Sequence, residues 1–349
     1  MPALPNPLGT PQPDAILSAE PLRTPWQTQN PFLFCMHHND AYPAGNAQFG
    51  PIDSLRGRQI GQDFANKDGW NMYHGQQVPG FPQHPHRGFE TVTVVRKGLL
   101  DHSDSLGAAA RYGQGDVQWL TAGQGIQHAE MFPLLRSDAP NPVELFQIWL
   151  NLPRASKMVA PYFSMFWADT IPRQRLEDQQ GKSIEISVIA GSIGDLVGPE
   201  PPPNSWAHQA GSDVAIWTLK LQAGAQWTLP AAQPGSNRVI YFFEGKELTI
   251  GPRTVAVRQA IAVRPEAALQ LTAGSQDVEL LVLQGKPIAE PVVQYGPFVM
   301  NTQAEIQQTF ADYQRTGFGG WPWPRVDPVH GPEQQRLARY PDGRIDKPA

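Results

Sequence analysis

The chain has 349 residues, 40% of them hydrophobic and 17% charged, with a formal net charge of -5. That length allows two ordinary domains with sizeable cores, and the charge balance argues against electrostatic binding of nucleic acid or anionic membrane. The 36 Pro and 32 Gly follow no repeat, which excludes collagen-like and low-complexity readings and fits many short strands joined by turns.

Cys35 is the only cysteine, so no intrachain disulfide can form, and a reducing compartment fits. The N-terminus, MPALPNPLGTPQPDAIL, lacks the basic and apolar regions of a secretory signal. No stretch approaches the roughly 20 apolar residues that span a bilayer. The expected localisation is cytoplasmic.

Residues 1–30, rich in Pro and polar residues, read as an arm docked at Trp26. Pro31 to Cys35 is a short apolar strand. Residues 39–80 are polar and Gly-rich, a long excursion of the kind that is usually functional or flexible. From Phe81 the pattern turns β. Strands are predicted over Glu90–Val95, Leu99–Ser105, Val117–Thr121 and Val143–Leu152, separated by turns at Lys97-Gly98 and 113–116. A second β-rich region opens at Ile184 and runs to Leu283, interrupted by a loop over 191–211 that contains Glu200-Pro201-Pro202-Pro203. One helix is predicted. Thr302 to Glu305 forms a capping box, Ile306, Phe310 and Tyr313 share a face, and Gly317 ends it. The Pro-rich tail from Trp321 is expected to pack little.

A weak internal repeat suggests two similar barrels. HPHRGFETVTVVRKG (84–98) aligns on AAQPGSNRVIYFFEG (231–245), and LTAG occurs at 120–123 and 271–274. In the second copy His84 and His86 become Ala231 and Gln233. Counted from LTAG, His128 and Glu130 become Glu279 and Leu281.

The strong chemical signal is a pair of pairs: His84 and His86 in HPHRGFET, His128 and Glu130 in GIQHAEM. On a strand, i, i+2 spacing sends both side chains to one face. Two such pairs on neighbouring strands place three imidazoles and a carboxylate around one point. That donor set suits Fe, Mn, Ni, Cu or Zn better than Ca or Mg. H-x-H, about 40 residues and then His also matches the strand spacing of a double-stranded β-helix. Glu90 is a fifth candidate, with a hydrogen-bonding role behind an imidazole as its alternative. His102 and Asp104 read as a satisfied polar pair near the barrel rim. His37 and His38 are adjacent and point to opposite faces, so a shared metal is not expected. His74 could reach the pocket mouth; His208 and His330 read as surface residues. Tyr73, Phe81, Phe89 and Trp119 are expected in the core, a subset of them lining a pocket for a flat aromatic molecule. No G-x-S-x-G, P-loop or dinucleotide fingerprint is present, and Cys35 has no base beside it.

At these residues the chain resembles the pirin family of the cupin superfamily. The resemblance rests on FPQHPHRGFETVTVV, DHSDSLG, GQGDVQWLTAGQGIQHAEM, IWLNLP followed by KMVAPYF, and EPVVQYGPFVMNTQAEIQQTFADYQ, and covers about 31–320. It implies an all-β bicupin of two jelly-roll barrels, face to face, with few helices and with metal only in the N-terminal barrel. The expected divisions are an arm over 1–30, a metal-binding barrel over 31–155 with the 39–80 insertion, a metal-free barrel over 156–300, and a helix and tail over 301–349. The implied metal is iron, as Fe2+, on His84, His86, His128 and Glu130, which demotes Glu90. Family members include quercetin 2,3-dioxygenases and nuclear transcription co-regulators. The chain departs from the family at Leu120 and Gln124, in the larger 39–80 excursion, which leads into the metal strand, and in the tail after Gly320.

Three functions compete. The first is an iron-dependent dioxygenase acting on flavonol-like aromatic substrates with dioxygen, with Glu130 as ligand and general base. The second is a metal-dependent redox-sensing module that regulates a protein partner. The third is a zinc isomerase of the cupin type.

Overall fold

The computed structural model describes residues 14–349. They divide into two compact units. One comprises Thr24–Ile171, Pro199–Ala210 and Ile288–Ala349; the other comprises the described residues before Thr24, Pro172–Gly198 and Gly211–Pro287. Both units are antiparallel β-sandwiches, as a bicupin requires, and among the described residues no helix is long and apolar enough to cross a membrane.

Of the predicted arm, residues 1–13 lie outside the described residues. Ile16–Pro21 (β1) forms an edge strand that pairs with Gln259–Val263 in the second unit. Only Ile16 at its start is buried, and Leu17 is exposed. Trp26 is buried in the first unit, donating its backbone N–H to Cys35 and packing on His37 and Phe146.

The first unit contains Phe32–Asp40 (β2), Gly80–His86 (β3), Phe89–Lys97 (β4), Leu99–Asp104 (β5), Ala109–Gly113 (β6), Val117–Thr121 (β7), Ile126–Met131 (β8), Val143–Asn151 (β9) and Tyr162–Phe166 (β10). One sheet has the order β10-β7-β4-β9-β2. The other runs Ile345–Asp346, Leu337–Arg339, β6, β5, β8, β3. The β-branched run of β4 is central in its sheet and buried from Phe89 to Val95, which its composition favours. β3 is an edge strand, and it starts at Gly80, whose φ of +129° brings its Cα so close to β8 that a Cβ would meet the Glu130 carbonyl oxygen at 2.4 Å.

The second unit repeats this plan. Its seven-stranded sheet includes Gln259–Val263, Asn237–Glu244 and Val278–Gly285 side by side. Its four-stranded sheet orders Gln226–Leu229, Leu269–Ala273, Glu247–Ile250 and Arg253–Ala256. A core of Ile, Val and Leu with Trp217 and Phe242 fills it. The topology corrects one detail of the repeat. LTAG at 120–123 ends β7, whose counterpart is Gln259–Val263, whereas LTAG at 271–274 ends the counterpart of β8. The positions equivalent to β8 therefore lie in Leu269–Ala273, not at Glu279 and Leu281. That strand reads LQLTA and carries no ligand type, so the loss of ligands stands on a different correspondence.

The 39–80 excursion is held by its own polar and aromatic core. The Arg58 guanidinium lies 3.2 Å over the Trp70 ring and donates to Asp63 at 2.9 Å. Asp40 accepts from Asn71 and, at 2.6 Å, from the Tyr73 hydroxyl. The helix Gln303–Thr316 (α1) has the predicted capping box and ends at Gly317 in the left-handed region. Its Ile306 face packs on Phe298, Met300 and Phe318.

The tail departs from expectation by packing on the first unit. Its strand Leu337–Arg339 extends the β6 edge. Arg111 on β6 clamps both oxygens of buried Asp101, at 2.7 and 2.6 Å, and donates to the Gly331 and Glu333 carbonyls. The His330 backbone N–H caps the same carboxylate at 2.8 Å. An Arg that satisfies a buried carboxylate and orphan carbonyls together is a strong anchor. Arg111→Met leaves the buried Asp101 carboxylate without a cation, and should cost about 3–5 kcal/mol. Limited proteolysis should then cut the tail before the barrel; a tail as resistant as in the wild type would contradict this anchor.

Candidate metal centre

The pairing of β3 with β8 sets the site. His84 stands directly opposite His128, His86 opposite Ile126, and Phe81 opposite Glu130. Opposed residues of an antiparallel pair share a face, so His84, His86, His128 and Glu130 all point to the same side. A bulge between Phe81 and His84 adds one residue to β3. Pro82 occupies it, where its missing N–H costs no ladder bond. The bulge also turns Phe81 onto the histidine face, which its odd spacing from His84 would not predict.

Side-chain nitrogens of His84, His86 and His128 lie within 4.8 Å of one another. The Nε2 atoms of His84 and His128 are 2.9 Å apart. His84 Nδ1 is 2.8 Å from the Pro82 carbonyl, which can only accept, so Nδ1 carries the proton and Nε2 presents its lone pair to the cluster. Burial holds His84 down to about 4 and keeps His86 and His128 well below the ordinary imidazole value. All three are thus neutral near pH 7, the form that binds metal. Two imidazole nitrogens about 2.0–2.1 Å from one ion, at right angles, stand about 2.9 Å apart. The His84–His128 spacing fits that arrangement, and the donor chemistry fits a borderline transition metal.

The Glu130 carboxyl lies 4.0 Å from His128 Nε2. Burial raises its pKa. Its Oε1 is 3.0 Å from Thr93 Oγ1, and its Oε2 accepts from Gln147 Nε2 at 3.2 Å. Thr93 Oγ1 also lies 2.6 Å from Gln147 Oε1. One hydroxyl proton cannot serve both oxygens. The network closes if Thr93 donates to Gln147 and a protonated Glu130 donates to Thr93.

Glu90 has another job. It lies three residues from Thr93 on β4 and so faces away from the histidines. Its oxygens accept from Thr121 at 2.6 Å and Ser205 at 2.5 Å, and burial lifts it to about 7. It holds hydroxyls and not an imidazole. Ser205, fully buried, comes from the Pro-rich 199–210 segment; nothing near it in the chain signals that contact. His102 and Asp104 do pair, at 3.2 Å, but both are wholly buried rather than at a rim, with His102 5.5 Å from the His128 ring. His37 bonds Glu144 at 3.1 Å and His38 faces the other way. His208 is exposed as expected. His330 is half-buried, and its Nε2 lies 2.8 Å from the His102 carbonyl. Burial raises the Cys35 thiol far above its ordinary value, which leaves it inert.

The cluster sits in a cavity of about 780 Å³, inside the range of small-molecule sites. Phe34, Phe81, Phe132 and Trp149 form its walls, with Thr93 and Gln147 beside Glu130. Phe64 and His74 come from the excursion and Val326 from the tail. Gln147 and Trp149 were legible as one face of β9. The tail was not, because its contact, Gln83 N–H to the Val326 carbonyl at 2.7 Å, joins distant segments.

A family model described as Pirin matches residues 54–150, and one described as Pirin C-terminal cupin domain matches 216–319. The chain is 40% identical over 244 residues to a Pseudomonas aeruginosa protein named "Putative quercetin 2,3-dioxygenase", covering 70% of this chain and 80% of that one. It is 33% identical over 262 residues to Pirin of Mus musculus, covering 72% and 82%. A crystal structure of quercetin 2,3-dioxygenase from Acinetobacter baumannii matches with a TM-score of 0.67 and 27% identity, over 88% of this chain and 98% of that one.

Glu90 makes stability depend on pH. Its ordinary value is 4.5 and its folded value about 7, so the native state keeps a proton that the unfolded chain releases. Stability therefore falls as pH rises between those values, by roughly 3 kcal/mol. Glu90→Gln should raise the melting temperature at pH 8 and leave it nearly unchanged at pH 4.5. Equal effects at both pH values would contradict this assignment.

Proposed function

The chain belongs to the pirin family of cupin proteins, and from that premise we propose that it is a metal-dependent dioxygenase of the quercetin 2,3-dioxygenase type. The observation that carries the reading is the pairing of three clustered imidazoles and a buried carboxyl with an aromatic-walled cavity. His84, His86 and His128 would hold the ion, with the Glu130 carboxylate as fourth ligand. Fe2+ is the proposed metal; Mn, Ni, Cu and Zn suit the same donors. A bound ion of this kind would supply Lewis-acid and redox chemistry toward an enolic substrate and dioxygen.

The chain's own residues do the rest. Phe81 and Trp149 flank the histidines and favour a flat aromatic ring over water. Glu130 accepts the proton of the substrate hydroxyl at a carboxylate oxygen. Thr93 and Gln147 orient that carboxyl, and burial raises its proton affinity, which strengthens it as a base. The N-terminal barrel carries this chemistry, and the C-terminal barrel acts as a structural partner. An aromatic-walled cavity of this size is suited to a small molecule, which favours catalysis over the regulatory alternative.

Aerobic assay of the iron-loaded protein with quercetin should show loss of the flavonol absorbance and release of carbon monoxide. Glu130→Gln should lower kcat by about 10²–10⁴-fold. Absence of turnover with Fe, Mn, Ni and Cu alike would overturn the proposal.

A further inference from the structure

The cavity has polar groups at a place the metal chemistry does not use. Phe34, Met36 and His38 alternate along β2 and all line it, while His37 points to the opposite face. His38 is only 4% exposed. Neither of its ring nitrogens has a hydrogen-bond partner among the described residues. Nδ1 is enclosed, which leaves Nε2 as the nitrogen open to the cavity. Its ring meets the aromatic residues Tyr73 at 4.8 Å, Phe81 at 5.7 Å and Phe132 at 6.4 Å. The Tyr73 hydroxyl is already committed to Asp40. A buried imidazole left unsatisfied costs about 1–3 kcal/mol, and such a group calls for an explanation.

His74 stands at the mouth of the same cavity. Its Nδ1 is 2.8 Å from the Gly61 carbonyl, so Nδ1 carries the proton and Nε2 offers a lone pair. Phe81 separates this end from the metal cluster: its ring is 5.7 Å from His38, 5.7 Å from His74 and 6.4 Å from His84. The cavity therefore has two polar ends with one aromatic ring between them. Among the described residues that line it there is no Lys or Arg, so nothing there recognises a carboxylate, sulfate or phosphate.

We propose that His38 and His74 form a second recognition pole, which hydrogen-bonds phenolic hydroxyls on the ring of the ligand farthest from the three-histidine cluster. A phenol both donates and accepts, so it serves His74 Nε2 as donor and His38 in either tautomer. The substrate class is a planar aromatic with hydroxyls at both ends, in preference to one with a bare or anionic outer ring. This deepens the dioxygenase reading and takes from it the choice of flavonols as probes.

The test is binding, measured by calorimetry on the zinc-loaded full chain, so that no turnover intervenes. Quercetin carries two hydroxyls on its outer ring and galangin carries none there. The wild type should bind quercetin about tenfold more tightly. His38→Phe and His74→Phe should each shrink that ratio, and the double variant should abolish it. His38→Gln should retain part of the preference. His74 is exposed, so its variant reads out the pole even where His38→Phe fails to fold. Equal affinities in the wild type, a ratio unmoved by the variants, or no binding of either flavonol would overturn the pole. Discrimination without turnover in a separate iron-loaded assay would sink the dioxygenase reading and leave the pole standing.

Discussion

The register between Gly80–His86 and Ile126–Met131 is the constraint on which the site depends. It sets His84 against His128, and the two-residue period then carries His86 and Glu130 to the same face. A slip of β3 by one residue would turn His84 and His86 to the opposite face from His128 and Glu130. The bulge at Pro82 and Gln83 absorbs the mismatch that brings Phe81 onto that face, and Gly80 permits the close approach at which the pairing starts. β3 is an edge strand, so its free side needs cover; the Val326 carbonyl accepts from Gln83 beside His84 and supplies part of it.

Burial then sets the chemistry. The same desolvation acts with opposite sign on bases and acids. It lowers the proton affinity of His84, His86 and His128, leaving lone pairs for a cation, and it raises that of the Glu130 carboxyl. Glu90 feels the same burial on the opposite face of β4, but two hydroxyls satisfy it and it has no open space beside it. Position on the strand, more than residue type, separates a group that can react from one that holds the fold.

Much of this was legible in the chain. Period-two spacing marked the pairs His84/His86 and His128/Glu130 that share a face, β-branched runs marked the strands, and Thr302 with Glu305 marked the helix Gln303–Thr316, because each is a local rule. Parity placed His37 and His38 on opposite faces, but it could not say which face was inside. What escaped was non-local. The LTAG repeat matched letters on strands that are not equivalent in the topology. The tail from Trp321 looked unstructured because its partners, Asp101 and Arg111, lie over 200 residues earlier. Ser205 reaches Glu90 from a Pro-rich segment whose composition reads only as loop.

The central claim is that β3 and β8 together hold one transition-metal ion. Elemental analysis of the purified full chain and of His128→Ala tests it most directly. About one equivalent of transition metal in the wild type, and at least tenfold less in the variant, is the expected result. A variant that retains its full metal content would contradict the account.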